Sequence, residues 1–298
     1  MRAHPVFVFA LAFGVEALVG VLVRGSRWRR IGGSAVSFLA LPLPLLMPDV
    51  APLVRFVLGL GLGVACLRTI DLVRERNERS VALRIRHVAL PIDTRRLRAA
   101  PATFERRHAV VAVVFGALAL ASFGVIHELA PVAAGPGSVA LRWGAGLVFA
   151  YAITDFVYAL GTVGFHAVGV QVYELHRAPA LARSGQEFWG ERWNRTISAW
   201  LGEHCLRPLA RRRMARLGVL ASFGVSALLH AYLVLVSIGG PMVLLMLGYF
   251  LVQGALVLVE MRLRVTKWRP LAGHAWTVGV MVATSPMFIE PMLRVLGW

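Results

Sequence analysis

Apolar blocks long enough to cross a bilayer alternate along this chain with stretches crowded by arginine, and that alternation limits what the chain can fold into. The blocks run at about 5–23, 31–48, 51–67, 109–130, 139–160, 217–238, 241–260 and 272–293. Wound as helix at 1.5 Å per residue, each covers most or all of ~30 Å of hydrocarbon. Connections 24–30, 68–108, 174–216 and 261–270 hold 28 of the 32 Lys and Arg residues. Connections 49–50, 131–138 and 239–240 hold none, and Arg2, Arg55, Arg142 and Arg294 stand at or near the opposite ends of blocks. The positive-inside rule then makes the basic loops cytoplasmic and puts both termini outside. The expected fold is all-α and polytopic, with about eight spans in one integral-membrane domain over 1–298. Its two long cytoplasmic loops are 68–108 and 174–216.

Composition supports this reading. Only 16% of residues are charged against 58% hydrophobic, where a soluble domain is about a quarter charged. A net charge of +17 would suggest nucleic acid in a soluble protein. Here it is read as cytoplasmic loops against anionic lipid headgroups, so membrane lipids and no nucleic acid are the expected partners. Lys267 is the one lysine among these cations. That bias suggests a GC-rich genome and, with the hydropathy, a bacterial cytoplasmic membrane. Cys66 lies in an apolar block and Cys205 in a basic loop, so no disulfide is expected, and no zinc spacing or other metal motif occurs. The first block ends in arginines rather than a small-residue cleavage site, which predicts a retained helix.

Some details are less regular. Pro42, Pro44 and Pro48 should kink the second span. The apolar run 161–173 either extends the fifth span or forms a re-entrant piece. Loop 68–108 reads as a helix extension followed by a basic amphipathic stretch on the membrane surface.

Segment 184–208, SGQEFWGERWNRTISAWLGEHCLRP, is unusual for a connector. Trp189, Trp193, Thr196 and Trp200 recur at helical spacing and would line one face, with Glu187, Glu191, Asn194 and Arg195 on others. Alone, this describes an interfacial amphipathic helix. His230 stands about thirteen residues into the sixth block, roughly 20 Å along the helix. An ionisable group so deep is expensive; it serves chemistry or is a hydrogen-bonded histidine between helices. Further polar residues in or beside blocks are Glu16, His127, Glu128, Asp155, His166, Gln253, Glu260 and Glu290. Asp155 and His166 are secondary cavity-lining candidates. With His230 they would give a transporter or lipid carrier its polar path, the competing non-enzymatic reading.

FWGERWN at 188–194 followed by VSALLHA at 225–231 resembles the signature pair of the membrane-bound O-acyltransferase superfamily, and is most similar to its wax-synthase type. Ser184, Glu187, Phe188, Trp189, Gly190, Arg192, Trp193, Asn194, Leu206, Arg207, Pro208, Val225, Ser226 and His230 carry the resemblance, and TSPMFIEPMLR at 284–294 resembles the family's last-helix segment. The sequence departs from the pattern at Ala227, where the family often has Gly, and at Ala231, where it often has Glu. The resemblance implies a helical core with a tunnel open to the cytoplasm. It implies acyl transfer from acyl-CoA, as co-substrate with no bound cofactor, to the hydroxyl of a lipophilic alcohol. His230 would be the general base and Asn194 would hold the donor or polarise its carbonyl. Phe188, Trp189, Arg192, Trp193, Arg207 and Ser226 would bind substrate or acyl-CoA. Arg207 with Arg211, Arg212 and Arg213 would meet coenzyme A phosphates, although headgroup contacts explain these four arginines equally well.

Overall fold

The computed structural model describes residues 4–75, 79–90, 92–129 and 135–298; Arg2, residues 76–78 and 91 of the first long loop, and residues 131–134 of the connection 131–138 lie outside the described residues. Regular structure in the described residues is helical apart from two paired two-residue strands. Among the described residues six helices are long and apolar enough to cross a membrane, or seven if one bent pair counts as a span. Among the described residues the chain divides into two packing units. The first holds residues 1–96, 229–243 and 294–297, the second 97–228, 244–293 and Trp298.

The first unit starts with α1 (Pro5–Leu22), α2 (Arg27–Leu39), α3 (Pro52–Arg74) and α4 (Val81–Ala89). The expected second span, 31–48, is not one helix. The 13-residue α2 stops at Leu39 and a separate 3-10 turn covers Leu43–Leu46. Pro42 and Pro44 have no N–H to continue the ladder, so carbonyls at this break need other donors. One is found: the Tyr232 hydroxyl donates to Leu41 O at 3.0 Å. Val8, Ala12, Met47, Leu58 and Leu62 pack as a buried cluster beside it.

Arginines finish the helix ends at the basic edge of this unit. Arg84 Nε donates to Gly20 O near the end of α1 at 2.8 Å, and Arg30 Nη1 donates to Val73 O in the last turn of α3 at 3.0 Å. Terminal carbonyls lack partners within their own helix, and cations favour that negative end. Amphipathic α4 therefore lies against α1 as a packed helix, with Arg84 and His87 buried. At Gly20 a side chain would have no room, since its Cβ would fall 2.7 Å from the Ile85 backbone.

Loop 68–108 also folds a charged network inward. Arg68 lies 3.4 Å from Asp71 and 3.6 Å from Asp93, and Arg95 lies 3.1 Å and 2.9 Å from the same two carboxylates. His87 sits between Thr94 Oγ1 at 2.7 Å and Asp71 at 3.4 Å. Asp71, His87 and Asp93 converge closely enough to hold a cation, but the arginines already occupy the carboxylates, so the arrangement is an ion-pair cluster.

The second unit contains α5 (Arg106–Gly124), continued by a π-helical turn at Val125–Leu129, and α6 (Pro136–Ala167). The 32-residue α6 absorbs the start of the apolar run after 160, so the fifth span is extended rather than followed by a re-entrant piece. Strands β1 (Arg98–Ala99) and β2 (Val170–Gln171) pair antiparallel. Short helices α7 (Gly185–Glu187), α8 (Arg195–Leu201) and α9 (Arg207–Ala210) lead into α10 (Ala215–Ser237), whose last nine residues belong to the first unit. Then come α11 (Met242–Leu263), α12 (Pro270–Thr284) and α13 (Pro286–Val295). The expected last span is thus a pair bent by 46°. Pro286 starts α13 without an N–H, and the Ser285 hydroxyl takes the nearby Val282 carbonyl at 2.8 Å.

Burial pushes the Asp93 carboxyl up, but hydrogen bonds from Arg95 and the charges of Arg68 and Arg95 outweigh it and hold the group below its usual range. A lowered native value adds stability above the unfolded value of about 4, and that stability is lost as pH falls through the native value. Asp93→Ala should therefore destabilise detergent-purified protein by about 1.5–3 kcal/mol at neutral pH, the worth of a charge-assisted bond, because Arg68 and Arg95 are left to share Asp71 alone. Thermal unfolding should show the gap to wild type narrowing once pH falls below about 4; a gap independent of pH contradicts the network.

Candidate functional site

The FWGERWN segment is not the single helical face that its spacing suggests. Ser184 caps α7, its Oγ accepting from Glu187 N at 3.0 Å. Phe188–Arg192 then form a π-helical turn, Trp193 is extended, and Asn194 takes a left-handed backbone with φ 38°. Asparagine tolerates that conformation because its short amide bonds locally. Here Asn194 Oδ1 accepts from Ile197 N at 3.3 Å and caps α8. The tryptophans consequently diverge: Trp189 points among Phe223, Tyr249 and Phe250, Trp193 stacks on His176 and Phe188, and Trp200 packs on His204.

Three braces hold this turn. Glu260, 1% exposed on α11, accepts Gly185 N at 2.9 Å, Gln186 N at 3.2 Å and Trp276 Nε1 at 2.8 Å. The first two are unpaired amides at the start of α7, where a helix favours negative charge. Next, buried Gln253 accepts from Trp189 Nε1 at 3.1 Å and donates to Thr284 Oγ1 at 2.7 Å, which ties the turn to the bend before α13. Finally, Arg192 binds Glu187 Oε1 at 2.7 Å and donates to the carbonyls of Arg177 and Ala178 at 3.0 and 3.1 Å. Burial raises the Glu187 carboxyl, but the Arg183 N–H and the Arg192 guanidinium outweigh it and hold it below the ordinary range. Arg192, expected among the substrate-binding residues, is held in the loop by these bonds.

The other expected residues fall as follows. His230 and Ser226 lie one turn apart on α10, with Ser226 buried and His230 half-buried. His230 is fifteen residues beyond Ala215, about 22 Å along the helix. Arg207, Arg211, Arg212 and Arg213 are exposed around α9. Glu290 meets Arg142 at 3.4 Å and accepts from Trp143 Nε1 at 3.1 Å. His127 and Glu128 are exposed at the end of the fourth expected span. Asp155 pairs with His176 at 2.7 Å, and His166 lies 3.3 Å from Glu105.

Sequence reasoning missed His176 and the role of Glu260. His176 is 21 residues from Asp155, past the end of α6, a spacing that no helical period connects. Glu260 is 75 residues from Gly185. The one local signal was Ser184 with Glu187 three residues on, a capping-box spacing that marks where α7 starts.

Glu260→Gln keeps one acceptor oxygen but turns an NH2 toward N–H donors. Each charge-assisted bond is worth about 1.5–3 kcal/mol, so the variant should lose about 2–4 kcal/mol in thermal unfolding. Wild-type stability would contradict Glu260 as the brace of the turn.

Residues 173–252, which include the turn and α10, match the model of the membrane bound O-acyl transferase family. The chain is 31% identical over 160 residues to the long-chain-alcohol O-fatty-acyltransferase of Simmondsia chinensis, covering 48% of this chain and 45% of that protein. It is 32% identical over 148 residues to "Probable long-chain-alcohol O-fatty-acyltransferase 1" of Arabidopsis thaliana, covering 45% and 43%. A second Arabidopsis thaliana relative, "Probable long-chain-alcohol O-fatty-acyltransferase 2", is 29% identical over 140 residues, covering 43% and 41%. The matched stretch spans less than half the length of these plant relatives. With the signature turn and α10 inside the matched window, this part of the chain is similar to the membrane bound O-acyl transferase family and to its long-chain-alcohol O-fatty-acyltransferases.

Proposed function

We propose that the chain transfers a fatty acyl group from acyl-CoA to the hydroxyl of a lipophilic acceptor, a long-chain alcohol first, giving a wax ester. The observation that carries this reading is the coincidence of three things in residues 173–252: the family match, the braced FWGERWN turn and His230 deep along α10. The relatives' names supply the substrate class.

In this reading His230 takes the proton of the acceptor hydroxyl as its oxygen attacks the thioester carbonyl. The carbonyl π electrons move to oxygen, giving a tetrahedral oxyanion. Asn194 spends its Oδ1 on the α8 cap, which leaves its NH2 to donate to that oxyanion. The C–S bond then breaks, and the coenzyme A thiolate recovers the proton from the His230 imidazolium. Ester and free thiol result, and the histidine is neutral again. Phe188, Trp189 and Trp193 shape the acyl channel, with Ser226 beside His230, and Arg192 serves as a brace. A tunnel from the cytoplasm delivers the thioester, and the exposed Arg207 with Arg211–Arg213 meets the coenzyme A phosphates. The matching orientation, in which α2 and the Leu43–Leu46 turn together complete a broken eighth span, has Arg-rich loops cytoplasmic and both termini outside, in a bacterial inner membrane.

Sealed vesicles of either sidedness test this. Inside-out vesicles given acyl-CoA and alcohol should form ester and right-side-out ones should not, while His230→Ala should lose roughly 10²–10⁴-fold at unchanged protein level. Full activity of the histidine variant, or equal activity from both faces, rejects the proposal.

A further inference from the structure

Asp155 and His176 form a buried pair that the mechanism above does not use. Each residue is 8% exposed, and Asp155 Oδ1 lies 2.7 Å from His176 Nδ1. A carboxylate at such a depth is costly without a strong partner. Its partner stands directly beside the signature turn. Leu175 O accepts from Arg195 N at 2.8 Å, and Arg177 N donates to Arg192 O at 2.9 Å. These two backbone bonds frame Trp193 and Asn194 on one segment and His176 on the other. Across the frame the His176 ring stacks on Trp193, with centroids 4.4 Å apart and planes 25° apart. Trp193 also stacks on Phe188 at 5.7 Å and 10°. Tyr151, one turn before Asp155 on α6, tilts against both His176 and Trp193.

We infer that the Asp155–His176 pair is a positioning device for Asn194. Asp155 fixes the imidazole through Nδ1, the imidazole fixes the indole by stacking, and the indole fixes the next residue, whose left-handed backbone aims its amide. Neither residue touches reacting atoms. The role rests on the acyl-transfer reading, in which a misplacement of Asn194 by about 1 Å is worth roughly 10²-fold in rate.

Kinetics of purified Asp155→Asn, His176→Gln and the double variant provide the test. Each single change should lower kcat by about tenfold or more, with KM for acyl-CoA and alcohol within about twofold. The double variant should be no worse than the worse single, since the pair acts as a unit. On an Asn194→Ala background, His176→Gln should cost nothing further. A loss confined to KM or to the amount of folded protein, or full additivity with Asn194→Ala, overturns the inference. A second readout needs no turnover: imidazole stacking quenches indole emission, so His176→Gln should raise tryptophan fluorescence, and on a Trp193→Phe background it should not. If wild type makes no ester, the acyl-transfer reading fails alone and emission decides the positioning claim. A rise that needs Trp193 sustains the His176–Trp193 link on which the claim stands, and no rise rejects the claim.

Discussion

In hydrocarbon a backbone amide or carbonyl that leaves its helix has no water to bond, and each one left over costs several kcal/mol. The irregular stretches of this chain are arranged around that constraint. At the proline break after α2, the Leu41 carbonyl is taken by the Tyr232 hydroxyl. At the start of α7 two amides find the Glu260 carboxylate, and the bend before α13 is closed by Ser285 and by the Thr284–Gln253 bond. A side chain from another helix or from the next turn settles each break, so every break also ties elements together.

The signature turn benefits most from this. A π-helical turn, an extended tryptophan and a left-handed asparagine in succession do not hold themselves. Glu260 fixes the start of the turn, Gln253 its first tryptophan, Arg192 its carboxylate, and His176 its second tryptophan. Polar groups within or beside the apolar spans thus shape the loop that carries Asn194. Acyl transfer needs a donor aimed at a developing oxyanion rather than at a ground-state carbonyl, and rigidity of this kind is what such aiming requires.

Much of this was readable from the residues. Apolar length and arginine alternation located α1, α3, α5, α6, α10 and α11 closely, because a bilayer makes hydrophobic length nearly decisive. The breaks at 39–43 and 284–286 were less legible. Proline announces a possible kink in a span, but only packing decides whether a helix bends or stops. The tryptophan spacing misled for a related reason: a period of three to four describes a helix only while the helix continues, and it stops at the extended Trp193 before Asn194 starts α8. His230 and Asn194 were singled out through the motif. His176 and Glu260 were not, because their partners lie 21 and 75 residues away and owe their proximity to tertiary packing.

Acyl transfer couples thiol release to ester formation, which hydrolysis, transport and lipid carriage do not. Purified chain in nanodiscs, given isotope-labelled long-chain acyl-CoA and a long-chain alcohol, should release free thiol and labelled ester one for one, with both products dependent on the alcohol. Thiol released without ester, or neither product formed by folded protein, would contradict acyl transfer as the function of this fold.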